Sequence, residues 1–492
     1  MPALRDPLCM SASLKVVKSA GLLLTLQVVQ RGLGIISTLI LARLLTPEHF
    51  GIVALVTIAI QFFELLVDTG NQQYIVQKDS VDKEDLNTAW SMDILIKSAI
   101  AVLIIASAPA LARWFTEPDL TAALAVASLA LPLRALKTPG MMRLAREINY
   151  RPLFTLTLWQ KGLSFITVIG IALVEPSYWA IISGNLVSAA VLAFGSYRVD
   201  NHRPQWTLSR FRQQWGFSQW LLLRGIVGFT RSQIDNLMVS RFFGTTQLGG
   251  YNLVREMSLL PALSAIIPMS EPLLAAIAEG RHSASKLAYR VRFSLGLMIS
   301  LLTPLTVFMY LYPELIVQVL LGNQWSDYAP LLRPFSLFFF TFCLFSLISD
   351  SIIAQGRVKM LFCFDVVSTI AIAVTLYYWG TRNLSDMAWL RGWLAVGTTA
   401  ALLILLNNQT KFGLFRLAYL CLPAAIGSGA AAWLVCHLPA ESAPIMELLT
   451  RGGLFVVLAT GLTAGFAMLL LQHCEEWHQM KNLAFSALRR VF

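Results

Sequence analysis

Long apolar stretches alternate with short polar ones along the whole chain. They run near 19–42, 50–76, 88–112, 120–142, 153–174, 177–197, 215–243, 249–278, 287–312, 328–355, 358–380, 386–406, 413–436 and 449–471. At 1.5 Å per helical residue, each is long enough to cross the roughly 30 Å of hydrocarbon in a bilayer. The pattern predicts an all-α polytopic membrane protein with about 14 transmembrane helices. A polar, basic segment at 198–214, RVDNHRPQWTLSRFRQQ, interrupts the series after six spans. The organisation expected is an N-terminal six-helix lobe over 1–199, a cytoplasmic linker over 200–214 and a second six-helix lobe over 215–410. Two additional helices over 411–472 and a cytoplasmic tail over 473–492 complete it. Three prolines within twelve residues, Pro261, Pro268 and Pro272, are expected to break the eighth span, because proline removes a backbone hydrogen bond and bends a helix.

Composition agrees with the pattern. The 492 residues are 56% hydrophobic and only 13% charged, with a mean hydropathy of +0.65, too much apolar surface for a soluble domain to hide. A net charge of +11 would suit a nucleic-acid partner. The lysines and arginines, however, collect in the N-terminal tail, after the even-numbered spans and in the C-terminal tail, and thin out after the odd-numbered spans. That is the positive-inside distribution. It puts both termini in the cytoplasm and makes nucleic acid an unnecessary partner. The apolar run after residues 1–18 is too long for a signal-peptide core and reads as a retained first span.

Chemistry-bearing motifs are scarce. The six cysteines include no CxxC pair and mostly sit inside apolar spans, which fits small core residues and neither a disulfide framework nor a metal site. HCEEWH at 473–478 has the residue types of a metal cluster, but its place just after the last span reads as a solvated juxtamembrane helix. Trp114, Trp179, Trp206, Trp215, Trp325, Trp389 and Trp393 read as an interfacial belt. Trp90 and Trp159 lie nearer helix interiors, where they suit core packing or stacking on a sugar. No phosphate-binding loop, zinc-protease or serine-hydrolase motif is present, so neither an enzyme nor a cofactor is expected.

One stretch departs from the apolar background. Span 7 carries Arg224, Arg231 and Asp235. At 3.6 residues per turn, positions 224, 228, 231 and 235 form one stripe reading Arg, Gly, Arg, Asp. Charges at membrane depth are costly and usually face water or a partner helix, so this stripe is expected to line a hydrated, cationic cavity in a transporter. There is also an internal echo. ARLLTPEHFG (42–51) aligns with SRFFGTTQLG (240–249), matching Arg43 with Arg241 and Gly51 with Gly249. AREINYRPLF (145–154) aligns with IAQGRVKMLF (353–362). Repeated halves around a shared site are a transporter architecture.

ILARLLTPEHFGIVAL (40–55) and IDNLMVSRFFGTTQLGGYNL (234–253), followed by Pro261 and Pro268, resemble the polysaccharide-exporter branch of the MOP superfamily. These are the Wzx-type flippases, and the 84–120 stretch is similar to the colanic-acid and succinoglycan exporters. The resemblance implies two six-helix bundles around a central cavity lined by spans 1, 2, 7 and 8. It also implies alternating access with ion coupling. The cargo would be an undecaprenyl-pyrophosphate-linked oligosaccharide crossing the bacterial inner membrane for exopolysaccharide or lipopolysaccharide synthesis. A polymerase and a chain-length regulator are the implied protein partners.

A pyrophosphate needs fixed positive charge, and arginine matches its oxygens. The candidate cavity residues are therefore Gln27 and Arg31 in span 1, Arg224 and Arg231 in span 7, and Arg255 in span 8. For ion coupling or charge pairing the candidates are Glu64, with Asp68 one turn on, Asp235, Glu256, Glu271 and Asp365; Asp235 with Asp365 is the pair favoured for a cation. Each of these charges would equally serve to neutralise a neighbour and lock two helices together. Two other functions stay open: a multidrug or cation antiporter of the same superfamily, whose cavity should favour carboxylates, and a membrane-embedded polysaccharide polymerase or glycosyltransferase. The second needs a large outer loop, and the longest here is short.

Overall fold

The computed structural model describes residues 7–67, 81–146, 151–200, 202–280, 283–439 and 443–482, without the side chains of 7–20, 23, 24, 67, 145, 146 and 212–224. Among the described residues there are helices and no strands. The helices are α1 (Pro7–Leu44), α2 (Pro47–Val67), α3 (Lys83–Phe115), α4 (Asp119–Ser128), α5 (Ala130–Ala135), α6 (Gly140–Arg146), α7 (Arg151–Val174), α8 (Trp179–Val199) and α9 (Phe211–Phe243). They continue as α10 (Thr245–Pro261), α11 (Ile267–Gly280), α12 (Ala284–Leu311), α13 (Pro313–Leu320), α14 (Leu332–Ala354), α15 (Val358–Trp379), α16 (Leu384–Thr410), α17 (Leu414–Cys436) and α18 (Pro444–Leu470).

Among the described residues the apolar stretches of the sequence are predominantly helical, and twelve segments are long and apolar enough to span a membrane. The two expected spans outside those twelve have identifiable reasons. The stretch at 120–142 is divided into α4 and α5 at Leu129, three residues before Pro132. Helix α9 has 33 residues but carries its arginines and aspartate through the middle. A count of fourteen is compatible with this arrangement. The chain is a multi-pass membrane protein.

Local chemistry sets several boundaries. Asp82 and Asp85 form a capping box at the start of α3, with the Asp82 N–H donating to Asp85 Oδ2 at 3.0 Å, which satisfies amides that no helical carbonyl reaches. Asn383 caps α16 by accepting from the Asp386 N–H at 2.7 Å. Of the three prolines expected to break the eighth span, only the first does so: α10 ends at Pro261, a π-turn occupies Ala262–Ile266, and α11 follows and runs through Pro268 and Pro272. An extra residue per turn is a recurrent way to absorb a proline's lost hydrogen bond.

By its own contacts the chain forms two units, Met1–Gly249 and Gly250–Phe492. In the first, α7 packs along α8 and α1, while α4 lies against α2, α3 and α8. Helix α9, placed by the sequence pattern at the head of the second lobe, lies on α2 and α3. In the second unit α14 is central, with α11, α12, α15 and α16 packed on it, and α17 pairs with α18 and α12. The connection after α12 is folded. It forms α13 and a 3-10 helix, Asn323–Leu331, whose Trp325 is fully buried beside Tyr328 rather than standing at the interface as its position suggested.

Two segments read as solvated from the sequence are stitched down. In the linker, Asp200 accepts from Arg143 at 2.7 Å, His202 pairs with Asn87 at 2.9 Å, and the Thr207 N–H donates to Ser91 at 3.0 Å. Beyond the last span, residues 475–482 form a short helix. Its Glu476 is buried and accepts from the Arg292 guanidinium of α12, with Nε at 2.6 Å. Arg292 also donates to the Phe412 carbonyl at 2.8 Å, and Cys474, Trp477 and Met480 pack on Leu420, Ala467 and Leu471. One of the two acidic members of the HCEEWH run, Glu476, is thus engaged by an arginine. Among the described residues no group of three or more His, Cys, Asp or Glu is arranged to hold a metal.

Candidate functional site

In the first unit, α1 carries Gln27 and Arg31 on the face that also bears Gly34. Gln27 is exposed and Arg31 partly buried, and a side chain added at Gly34 would meet open space. Neighbouring Val28 and Ile36 are 71% and 49% exposed. Near the C-terminal end of α1, Leu41 and Leu45 pack with Val168 and Ala172 of α7. Among the described residues the Arg31 guanidinium makes no ion pair and no hydrogen bond. It lies inside the candidate span Thr25–Leu44. An arginine at the centre of such a helix costs roughly 2.5–3.5 kcal/mol on insertion scales. Among the described residues no carboxylate pairs with Arg31 to offset that cost.

The charged stripe of α9 is graded. Its neighbouring edge packs on α2, with Phe229 against Phe62 at 5.5 Å between ring centroids. On the stripe itself Gly228 is exposed with open space beside it, Arg231 is partly buried, and Asp235 is fully buried together with Asn236. Asn236 donates to Gln233 at 2.8 Å. The stripe therefore passes from an open surface into helix packing within two turns. The Arg224 side chain lies outside the described residues, as does Asp68. Glu64 of α2 has a specific partner: it accepts from Arg134 of α5 at 2.5 Å. Arg134 falls within the stretch 120–142, and nothing along the sequence connects it with Glu64.

In the second unit Arg255 and Glu256 point different ways, as residues 100° apart on a helix must. Arg255 is 7% exposed and lies over the Phe338 ring at 5.1 Å; Arg391 of α16, 3% exposed, lies over the same ring at 4.5 Å. Arg255, expected at a cavity wall, is directed into the packed interior of its unit, where cation–π contact suits a desolvated guanidinium. Arg391 was missed because its flanking tryptophans, Trp389 and Trp393, made it look interfacial, although an arginine inside an apolar span was the available signal. Glu256 is exposed and accepts from Asn252 at 3.1 Å. Glu271 is exposed on α11 and Asp365 partly buried on α15.

Residues 40–330 match a family model described as polysaccharide biosynthesis protein. Among curated relatives, the succinoglycan biosynthesis transport protein ExoT of Rhizobium meliloti (strain 1021) is 24% identical over 308 residues, covering 62% of this chain and 62% of that protein's length. The lipopolysaccharide biosynthesis protein WzxC of Escherichia coli (strain K12) is 21% identical over 342 residues, covering 69% of this chain and 70% of WzxC. Among solved structures, the lipid II flippase MurJ in an inward closed conformation superposes with a TM-score of 0.75 at 14% identity, covering 91% of this chain and 99% of MurJ. That likeness establishes the fold.

Proposed function

We propose that this chain, which belongs to the polysaccharide biosynthesis protein family, is a flippase for a lipid-linked oligosaccharide. The relatives named above act in the biosynthesis of succinoglycan and of lipopolysaccharide, and MurJ is named for flipping lipid II. The cargo proposed here is a repeat unit on an undecaprenyl-pyrophosphate carrier, moved across the bacterial inner membrane, with both termini on the cytoplasmic side. The observation that carries the reading is Arg31, a guanidinium held within a spanning helix without a counter-ion among the described residues. A fixed, unneutralised cation suits a phosphate-bearing head that must bind and leave. Gly228 and Arg231 of α9 give a second place where the apolar surface opens beside a positive charge.

The remaining parts follow from the chemistry of the cargo. A head group carrying sugars and charge has to be passed from one side to the other while its tail stays in lipid. Two repeated halves exchanging access fit that need. If an ion gradient drives the exchange, the carboxylates available are Asp235, Glu256, Glu271 and Asp365, of which Glu256 and Glu271 are on exposed positions. A polymerase and a chain-length regulator would act on the delivered unit. A cationic drug as cargo is disfavoured by Arg31, which would repel it.

The test is export in a strain lacking the chain's own gene. Arg31→Ala and Arg231→Ala should insert at normal levels yet abolish polymer export, while Arg31→Lys retains part of it. Wild-type polymer from both alanine variants would overturn the reading.

A further inference from the structure

A second site lies on the first unit, and none of the arginines just described lines it. A cavity of about 810 Å³ runs between α7 and α8. Pro152 and Arg198 line one end, and Leu163 and Val191 the other, with Trp159 and Phe194 along its length. Trp159 and Phe194 are 65% and 67% exposed, so the tryptophan that might have packed in a core or stacked on a sugar instead faces outward into this groove. From Pro152 to Leu163 the groove follows α7 for roughly 16 Å, at 1.5 Å per residue. One leaflet's hydrocarbon is roughly 15 Å deep. The groove is therefore one leaflet long, apolar and aromatic inside, and cationic at its mouth.

The mouth is under-neutralised. Arg198 is exposed, and Arg151, directly before Pro152, is exposed at the same end. Among the described residues neither side chain forms an ion pair or hydrogen bond. Two unpaired guanidiniums at the interface, above an apolar slot of single-leaflet depth, are complementary to one amphiphile: an anionic head with an acyl chain of ordinary length. A long polyprenyl chain would far outrun the slot. We propose that the α7–α8 groove is a binding site for an anionic glycerophospholipid, with one acyl chain lying along Trp159 and Phe194 and the phosphate on Arg151 and Arg198. The site is independent of the transport reading and survives its failure.

Trp159 supplies the reporter. The purified full chain is titrated with bromine-labelled phosphatidylglycerol and, separately, bromine-labelled phosphatidylcholine, and the quenching lost in Trp159→Phe is taken as the signal from the groove. Two interfacial arginines correspond to a preference for the anionic lipid of roughly thirtyfold. In Arg151→Gln/Arg198→Gln the preference should fall to about one while phosphatidylcholine still quenches Trp159, which shows that the groove is intact. Equal quenching by both lipids in the wild type would overturn the proposal, as would a preference that survives the double substitution.

Discussion

The internal repeat makes a stereochemical prediction at its two matching glycines. Gly51 of α2 and Gly249 of α10 come together at the starts of their helices. A Cβ added at Gly51 would stand 1.9 Å from the Thr245 carbonyl oxygen, and one added at Gly249 would stand 1.8 Å from the Pro47 carbonyl oxygen. Real Cβ atoms stay at least 3.0 Å from such neighbours, so either alanine forces the helices apart by more than 1 Å. The obstacle is backbone in both cases, and no rotamer change relieves it. Overpacking usually costs about 1–3 kcal/mol, and an unyielding contact belongs at the top of that range. For a unit of this size the loss corresponds to a fall in melting temperature of roughly 6–12 °C. Gly51→Ala and Gly249→Ala should each show it by thermal unfolding in detergent. The double variant should lose less than the sum, because one separation accommodates both methyls. A melting temperature within a degree of wild type for either single variant would refute the close approach. Strict additivity would refute the claim that the two glycines share one contact.

Three further outcomes follow from ion pairs and titration. Removing the counter-charge from the buried Arg292–Glu476 pair by Glu476→Gln leaves the guanidinium with neutral acceptors only, the amide oxygen and the Phe412 carbonyl; a cost of about 3 kcal/mol is expected, read as faster proteolysis within 473–482 while the spans stay protected. Glu64→Gln should cost only about 1 kcal/mol, because both partners in the Glu64–Arg134 pair are about a third exposed; the exchange Glu64→Arg with Arg134→Glu should recover part of it in a thermal melt. Burial lowers the His202 pKa below its usual value, with Arg143 and Lys83 acting in the same direction and Asp200 opposing. The unfolded chain therefore binds this proton more readily than the folded one. Stability should fall as pH drops below about 6.5 toward the folded-state value, and His202→Asn should flatten that part of a melting-temperature profile.

These sites differ in how far the sequence disclosed them, and the difference has a physical basis. Span positions, the proline break after α10 and the glycines of the repeat each leave a local trace: hydropathy over a window, a residue that cannot donate, a residue without a side chain. Partners do not. Glu64 meets Arg134 across 70 residues, and Arg292 meets Glu476 across 184; nothing along the chain records either meeting. Direction is equally hidden where a helix is apolar on most faces. Arg255 and Arg31 look alike in sequence, each a lone arginine near a turn of polar residues, yet one is packed over Phe338 and the other has no partner among the described residues. For α9 the packed edge at Phe229 on α2 and the exposed Gly228 fix which face is buried and which is open. For Arg255 an aromatic ring and a second arginine, contributed by α14 and α16, make the interior hospitable to charge. An intramembrane arginine is thus a signal of function only after the face opposite it is known, and that is why Arg31, rather than the more numerous charges of α9, carries the functional reading.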